Sequence, residues 1–181
     1  MMEKLSVRSF KMLALLLCLL LCFGGCKKLA SLPDYRESAF IAELVFITPT
    51  SRLCATAEVS APSQDHTLRD VTLSFTEPSA LNGLIVTRRE DQVSLNFKNL
   101  CVEDVPVQDL LRGIDLLLCD GSLTILGKEE GEGIRFISAQ LHNEKEGKSY
   151  ALSLEPTTGY PKELRTDTEI LQIQSFRKNS P

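Results

Sequence analysis

The chain has 181 residues, no tryptophan and two histidines, His66 and His142. So little imidazole leaves few candidates for the side chain that most often acts as a general base or metal ligand near neutral pH. Both histidines sit in polar, turn-adjacent stretches, where exposure to solvent is expected. No serine lies in a G-x-S-x-G elbow, and neither His-Glu-x-x-His nor a glycine-rich phosphate loop is present. Gly131-Glu132-Gly133 lacks a helix after it and reads as a hairpin tip. Glu129-Glu130 and Glu103-Asp104 read as solvated turns and a helix start rather than an acid/base couple. We therefore expect no catalytic residue, no metal and no cofactor. A net charge of −4 argues against nucleic acid as a partner. The apolar run Met12–Phe23 is also shorter than the ~18 residues a bilayer span needs, so it is not expected to remain as one.

What that run does have is an ordered setting. Lys4, Arg8 and Lys11 precede it, and Gly24-Gly25-Cys26 follows. A charged start, a short apolar stretch and small residues at a cut site describe a secretory signal. Cys18 and Cys22 follow leucines, whereas Cys26 follows two glycines and precedes Lys27 and Lys28. Phe23-Gly24-Gly25-Cys26 resembles the lipobox of bacterial lipoproteins. That resemblance implies cleavage after residue 25, lipidation of Cys26 with diacylglycerol and palmitate, and residence at the extracytoplasmic face of the cell membrane. More than one acyl chain is needed for stable anchoring. Cleavage without lipid is the alternative.

Removing residues 1–25 takes away three cations and one anion, which moves the net charge from −4 to −6. The remainder suits one domain. Residues 26–39 are expected to be the lipidated cysteine and a tether, with a domain over 40–177. Cys54, Cys101 and Cys119 are odd in number and lack C-x-x-C spacing, so neither a complete disulfide framework nor a zinc ribbon fits them. They are expected to be buried free thiols, with one disulfide plus a spare thiol as the alternative.

From Phe40 onward short segments alternate. Val71, Leu73 and Phe75 share one face against Thr72, Ser74 and Thr76, and Val93, Leu95 and Phe97 alternate with Ser94, Asn96 and Lys98. Such alternation marks strands with one buried and one wet face. Arg88-Arg89 lies near a hairpin edge, where charge guards against pairing or bridges a partner. About nine strands at hairpin spacing predict an antiparallel meander. Val107, Leu110, Leu111, Ile114, Leu117 and Leu118 instead recur as a helical stripe, with Asp104 as cap, Pro106 in the first turn and Gly121 after the end. Gly113 inside the helix costs ~1 kcal/mol relative to alanine, a hint of close packing there. The expected class is α+β, mainly β: a curved antiparallel sheet, or incomplete β-barrel, covered by one amphipathic helix.

Val71–Pro78 (VTLSFTEP), followed by Leu81-Asn82-Gly83-Leu84, is similar to modules of the lipoprotein-carrier superfamily, LolA and LolB and their relatives. Gly159-Tyr160-Pro161-Lys162-Glu163-Leu164 resembles the closing hairpin of that family. The resemblance spans roughly Phe40–Phe176. It implies that Leu73, Phe75, Val86, Leu95 and Phe97 line an apolar hollow, with Leu110, Ile114 and Leu117 on a helical lid. The same residues equally suit an ordinary filled core. Two functions follow: a carrier for a lipid, a lipoprotein acyl chain or another hydrophobic ligand, or a sensor that binds another envelope protein through its sheet.

Overall fold

The computed structural model describes residues 34–63, 68–90, 92–103, 108–131 and 133–179; Cys26, His66 and Asp104 fall outside them. Alternation sets the strands: Val71, Leu73 and Phe75 are buried, while Thr72 and Ser74 between them are half-buried. The elements run β1 (Phe40–Ile47), β2 (Arg52–Val59), β3 (Val71–Glu77), β4 (Leu84–Arg89), β5 (Gln92–Phe97), β6 (Leu100–Glu103), α1 (Gln108–Leu118), β7 (Leu123–Gly131), β8 (Ile134–Asn143), β9 (Lys148–Leu154), β10 (Pro161–Arg165) and β11 (Ile170–Lys178). Short 3-10 turns at Tyr35–Glu37 and Ser79–Leu81 complete the list.

All eleven strands join one curved antiparallel sheet in the order β6-β5-β4-β3-β2-β1-β11-β10-β9-β8-β7. Two meanders, β1–β6 and β7–β11, thus meet where the first strand pairs with the last, from Phe40↔Lys178 to Ile47↔Ile170. β6 and β7 are the free edges, so the sheet does not close.

Two segments differ from expectation. β6 has no counterpart among the expected strands: Leu100-Cys101-Val102-Glu103 is too short for a clear alternation, and its side chains are all exposed. Of Lys128–Gly133, expected as a polar turn, Lys128–Gly131 extends β7 and pairs with Ile134–Ile137. Backbone pairing there needs no apolar side chain, so a hydrophobicity pattern misses it.

The register lines up the inner face. Ala42↔Ala57, Ala57↔Leu73, Leu73↔Val86, Val86↔Leu95 and Leu95↔Val102 make one cross-strand row over six strands. In the other meander, Ile137, Ala139 and Leu141 of β8 and Tyr150, Leu152 and Leu154 of β9 are buried.

Helix α1 touches both meanders. A Cβ at Gly113 would lie 3.3 Å from Leu171, 3.4 Å from Glu169 and 3.5 Å from Phe46, which is the close approach the glycine in mid-helix hinted at. Leu111, Ile114 and Leu117 of the stripe are buried, as is Leu116 outside it. At the helix end Gly121 is obligatory, since a Cβ would sit 1.6 Å from the His142 carbonyl oxygen. Among the described residues, no helix is long and apolar enough to cross a membrane.

Candidate ligand-binding site

Exposure grades along the row that crosses β3 to β6. Leu73 and Val86 have 0% exposure, Leu95 is half-buried, and Val102 on the free edge is 40% exposed. The next row, Leu84↔Phe97 and Phe97↔Leu100, grades the same way, from buried Leu84 to Leu100 at 60%. Apolar surface therefore runs without a polar break from the core to an open strand.

The eight residues expected to line a hollow divide along that gradient. Leu73, Phe75, Val86, Ile114 and Leu117 are at most 3% exposed. A hollow wide enough for an alkyl chain also admits water, so the zero exposure of Leu73 and Val86 means that none borders them. These two are packed on all sides. Leu95, Phe97 and Leu110 are half-buried and remain within reach.

Three arginines that alternation and composition did not single out as binding residues hold the helix in place. Arg88 follows Leu84 and Val86 in phase, so its side chain faces inward while Arg89 faces out. Its Nη1 donates to Asp115 Oδ1 at 2.6 Å, and Nε and Nη2 donate to the Arg69 carbonyl at 3.2 Å. Burial holds the Asp115 carboxyl above the usual carboxylate range, outweighing the pull of Arg88. Arg69 donates in turn to the carbonyls of Ser60, Arg36 and Ser38, lies over the Phe40 ring, and is brought down to about 10 by burial.

Arg36 completes the string. Its Nη1 donates to the carbonyls of Cys119 and Gly121 just beyond α1, where unpaired carbonyls carry negative charge. It also grips Asp34, whose carboxyl these bonds hold low against the opposing effect of burial. Beside it, Tyr35 is buried and its hydroxyl donates to the Leu117 carbonyl at 2.9 Å; burial pushes that phenol up. Inward phase on β4 was the one signal in the sequence that could have found Arg88.

Two concavities lie elsewhere. One of about 340 Å³ is bordered by Thr87, Arg89, Gln92, Val93, Ser94, Asn96 and Glu103. The other, also about 340 Å³, is bordered by the turn over 155–160 together with Pro161, Lys162, Ile173 and Phe176. Neither includes the expected lining residues. The thiols of Cys54, Cys101 and Cys119 are free, but Cys101 is exposed and the other two half-buried, against the expectation of full burial. They ride on sheet faces and at a helix end that solvent reaches. His142 is half-buried and its Nδ1 lies 3.0 Å from Ser149 Oγ. Among the described residues, no three His, Cys, Asp or Glu side chains are grouped to hold a metal ion.

No protein-family model matches the chain, and no curated protein matches it significantly. Solved structures do share its fold. An uncharacterized conserved protein from Thermus thermophilus superposes with a TM-score of 0.52 at 13% identity, covering 80% of this chain and 81% of that one. MucB superposes with a TM-score of 0.50 at 13% identity, over 81% of this chain and 55% of MucB. The chain thus spans little more than half of MucB's length. A LolA superfamily protein from Nitrosomonas europaea is more distant, with a TM-score of 0.38 at 8% identity over 81% and 88% of the two chains.

Proposed function

We propose that the protein is an envelope binding module that takes a hydrophobic ligand, a lipid or acyl chain, against the inner face of its sheet beneath α1. The observation that carries this reading is the unbroken apolar gradient from Leu73 and Val86 through Leu95 and Phe97 to Leu100 and Val102 at the open edge. A ligand entering at β6 meets Leu100 and Val102 first. Covering those two contributes on the order of 2 kcal/mol. A micromolar complex needs about 8 kcal/mol. The ligand must therefore engage more of the gradient, and the deeper residues are reached by swinging α1 off the sheet. In this reading α1 is a movable cover, and Arg88–Asp115 and Tyr35–Leu117 are among the contacts it breaks. No bond is made or broken in the ligand, and no cofactor takes part.

We place the module at the extracytoplasmic face of a cell membrane, held by lipid on Cys26, on the strength of the lipobox resemblance. The resemblance to lipoprotein carriers supports the hydrophobic ligand. The test is native mass spectrometry of the Cys26→Ser protein, which lacks the lipid anchor, purified in soluble form from the cell envelope. Added mass extractable as lipid is expected; a protein that emerges empty, and stays empty with a fluorescent fatty acid, overturns the reading.

One observation favours a second reading. The fold is similar to that of MucB, which has been solved in complex with MucA. A protein partner would add a strand to β6, using its unpaired backbone for affinity and Leu100 and Val102 for contact. Recovery of one defined envelope protein with the empty chain would select it.

A further inference from the structure

The outer face of β4, β5 and β6 carries a polar concavity. Thr87 pairs with Ser94 and Ser94 with Glu103, Arg89 pairs with Gln92, and Asn96 pairs with Cys101 of β6. Thr87, Arg89, Gln92, Ser94, Asn96 and Glu103 border one concavity of about 340 Å³, within the range of small-ligand sites. None of these six side chains makes a hydrogen bond or ion pair with another described residue. Outward-facing polar side chains on a sheet usually pair across strands. Here donors and acceptors on three adjacent strands converge on one hollow, and among the described residues their bonding capacity is not taken up.

The composition of the lining selects the ligand class. No aromatic ring borders the hollow, so nothing stacks on a nucleobase or a sugar face. A single cation accompanied by a carboxylate does not suit phosphate, and a single carboxylate beside an arginine does not suit a metal ion. One charge of each sign, flanking amides and hydroxyls, suits a zwitterion with amide groups between its ends. Arg89 and Glu103 stand two strands apart and offset by two residues, so their Cα atoms are about 12 Å apart. Allowing a hydrogen bond at each end, that separation fits an extended chain of two or three residues.

We propose that this outer face binds short zwitterionic peptides. The Arg89 guanidinium takes the terminal carboxylate in two parallel hydrogen bonds, and the Glu103 carboxylate takes the terminal ammonium. Thr87, Gln92, Ser94 and Asn96 hydrogen-bond to the peptide groups between them. This site lies on the face opposite the apolar gradient, so it stands or falls independently of the hydrophobic-ligand reading.

Trialanine titrated into the isotope-labelled full chain tests it by amide chemical shifts. Shifts are expected in β4, β5 and β6, with affinity weakened about tenfold in Arg89→Ala and in Glu103→Gln. Both side chains are exposed, so an unchanged background spectrum will show that the variants fold. Acetyl-trialanine-amide, lacking both charges, should bind at least as weakly as the variants. The proposal is overturned if trialanine moves no resonance on this face, if the capped peptide binds equally well, or if both variants bind as the wild type does. It is overturned too if N-acetylglucosamine binds this face more tightly than trialanine.

Discussion

The two free edges of the sheet are built differently. β7 runs Leu123–Gly131, with a register irregularity between Ile125 and Gly127 and with Lys128, Glu129 and Glu130 toward its end. A bulge and charges are the usual means of keeping an edge from pairing. β6 has four residues, no bulge, and Leu100 and Val102 exposed on the apolar face. One edge is guarded by twist and charge; the other is limited only by its length. Both edges expose apolar side chains, Leu126 at 63% on β7 and Leu100 at 60% on β6, but the bulge is found on β7 while the backbone of β6 runs straight; the contrast can be broken from either side.

The largest effect is expected on the β7 side. Gly121→Ala would drive a methyl group into the His142 carbonyl, where backbone cannot yield, and should cost about 4 kcal/mol or more in urea unfolding. In the meander that leads to β6, Leu73→Ala should cost about 3 kcal/mol, because a fully packed site leaves a cavity. A loss under about 1 kcal/mol there would mean that the inner face is looser than its zero exposure indicates.

The latch should be asymmetric. Arg88→Met strands a half-buried carboxylate and should cost about 2 kcal/mol, while Asp115→Asn leaves Arg88 bonded to the Arg69 carbonyl and should cost about 1 kcal/mol or less. Sign also follows from Asp115's raised pKa. Its stability contribution is full below the ordinary carboxylate value and falls as pH climbs through the raised one, so Asp115→Asn should flatten that part of a stability–pH profile.

Leu100→Lys with Val102→Lys should change stability by less than about 0.5 kcal/mol, both sites being exposed, yet abolish lipid carry-over if the ligand enters at β6. Equal carry-over in this double variant would move the entrance elsewhere. Smallest is the effect of Glu155. Hydroxyl and backbone bonds from Thr157 and Thr158 hold its carboxyl down to about 2, so its contribution is present above the ordinary glutamate value and is lost as pH falls toward 2. Glu155→Gln should remove a small part of the acid sensitivity seen by circular dichroism.

Strand phase, helix position and the close approach at Gly113 were legible in the sequence because burial repeats with the backbone period. Arg88-Arg89 read as edge charge, although phase with Leu84 and Val86 turns Arg88 inward; its partner Asp115 lies 27 residues on and no local pattern joins them. The outer-face hollow was harder to see. Thr87, Gln92, Ser94 and Glu103 look like ordinary wet-face residues until register sets three strands side by side. β6 escapes a sequence reading since four exposed residues carry no contrast. Whether the inner face was hollow or filled depends on packing volume, which alternation does not encode.

The pairing of β1 with β11 also governs how the molecule is assembled. An N-terminal strand seated mid-sheet has one side satisfied by its neighbour in sequence and the other only by residues 170–178. Until the last strand emerges, Phe40–Ile47 presents a bare backbone edge rich in apolar side chains. Such long-range closure slows folding. A chain delivered N-terminus first would reach its final form only once its tail had arrived, which makes truncation near the C-terminus as damaging as loss of the core.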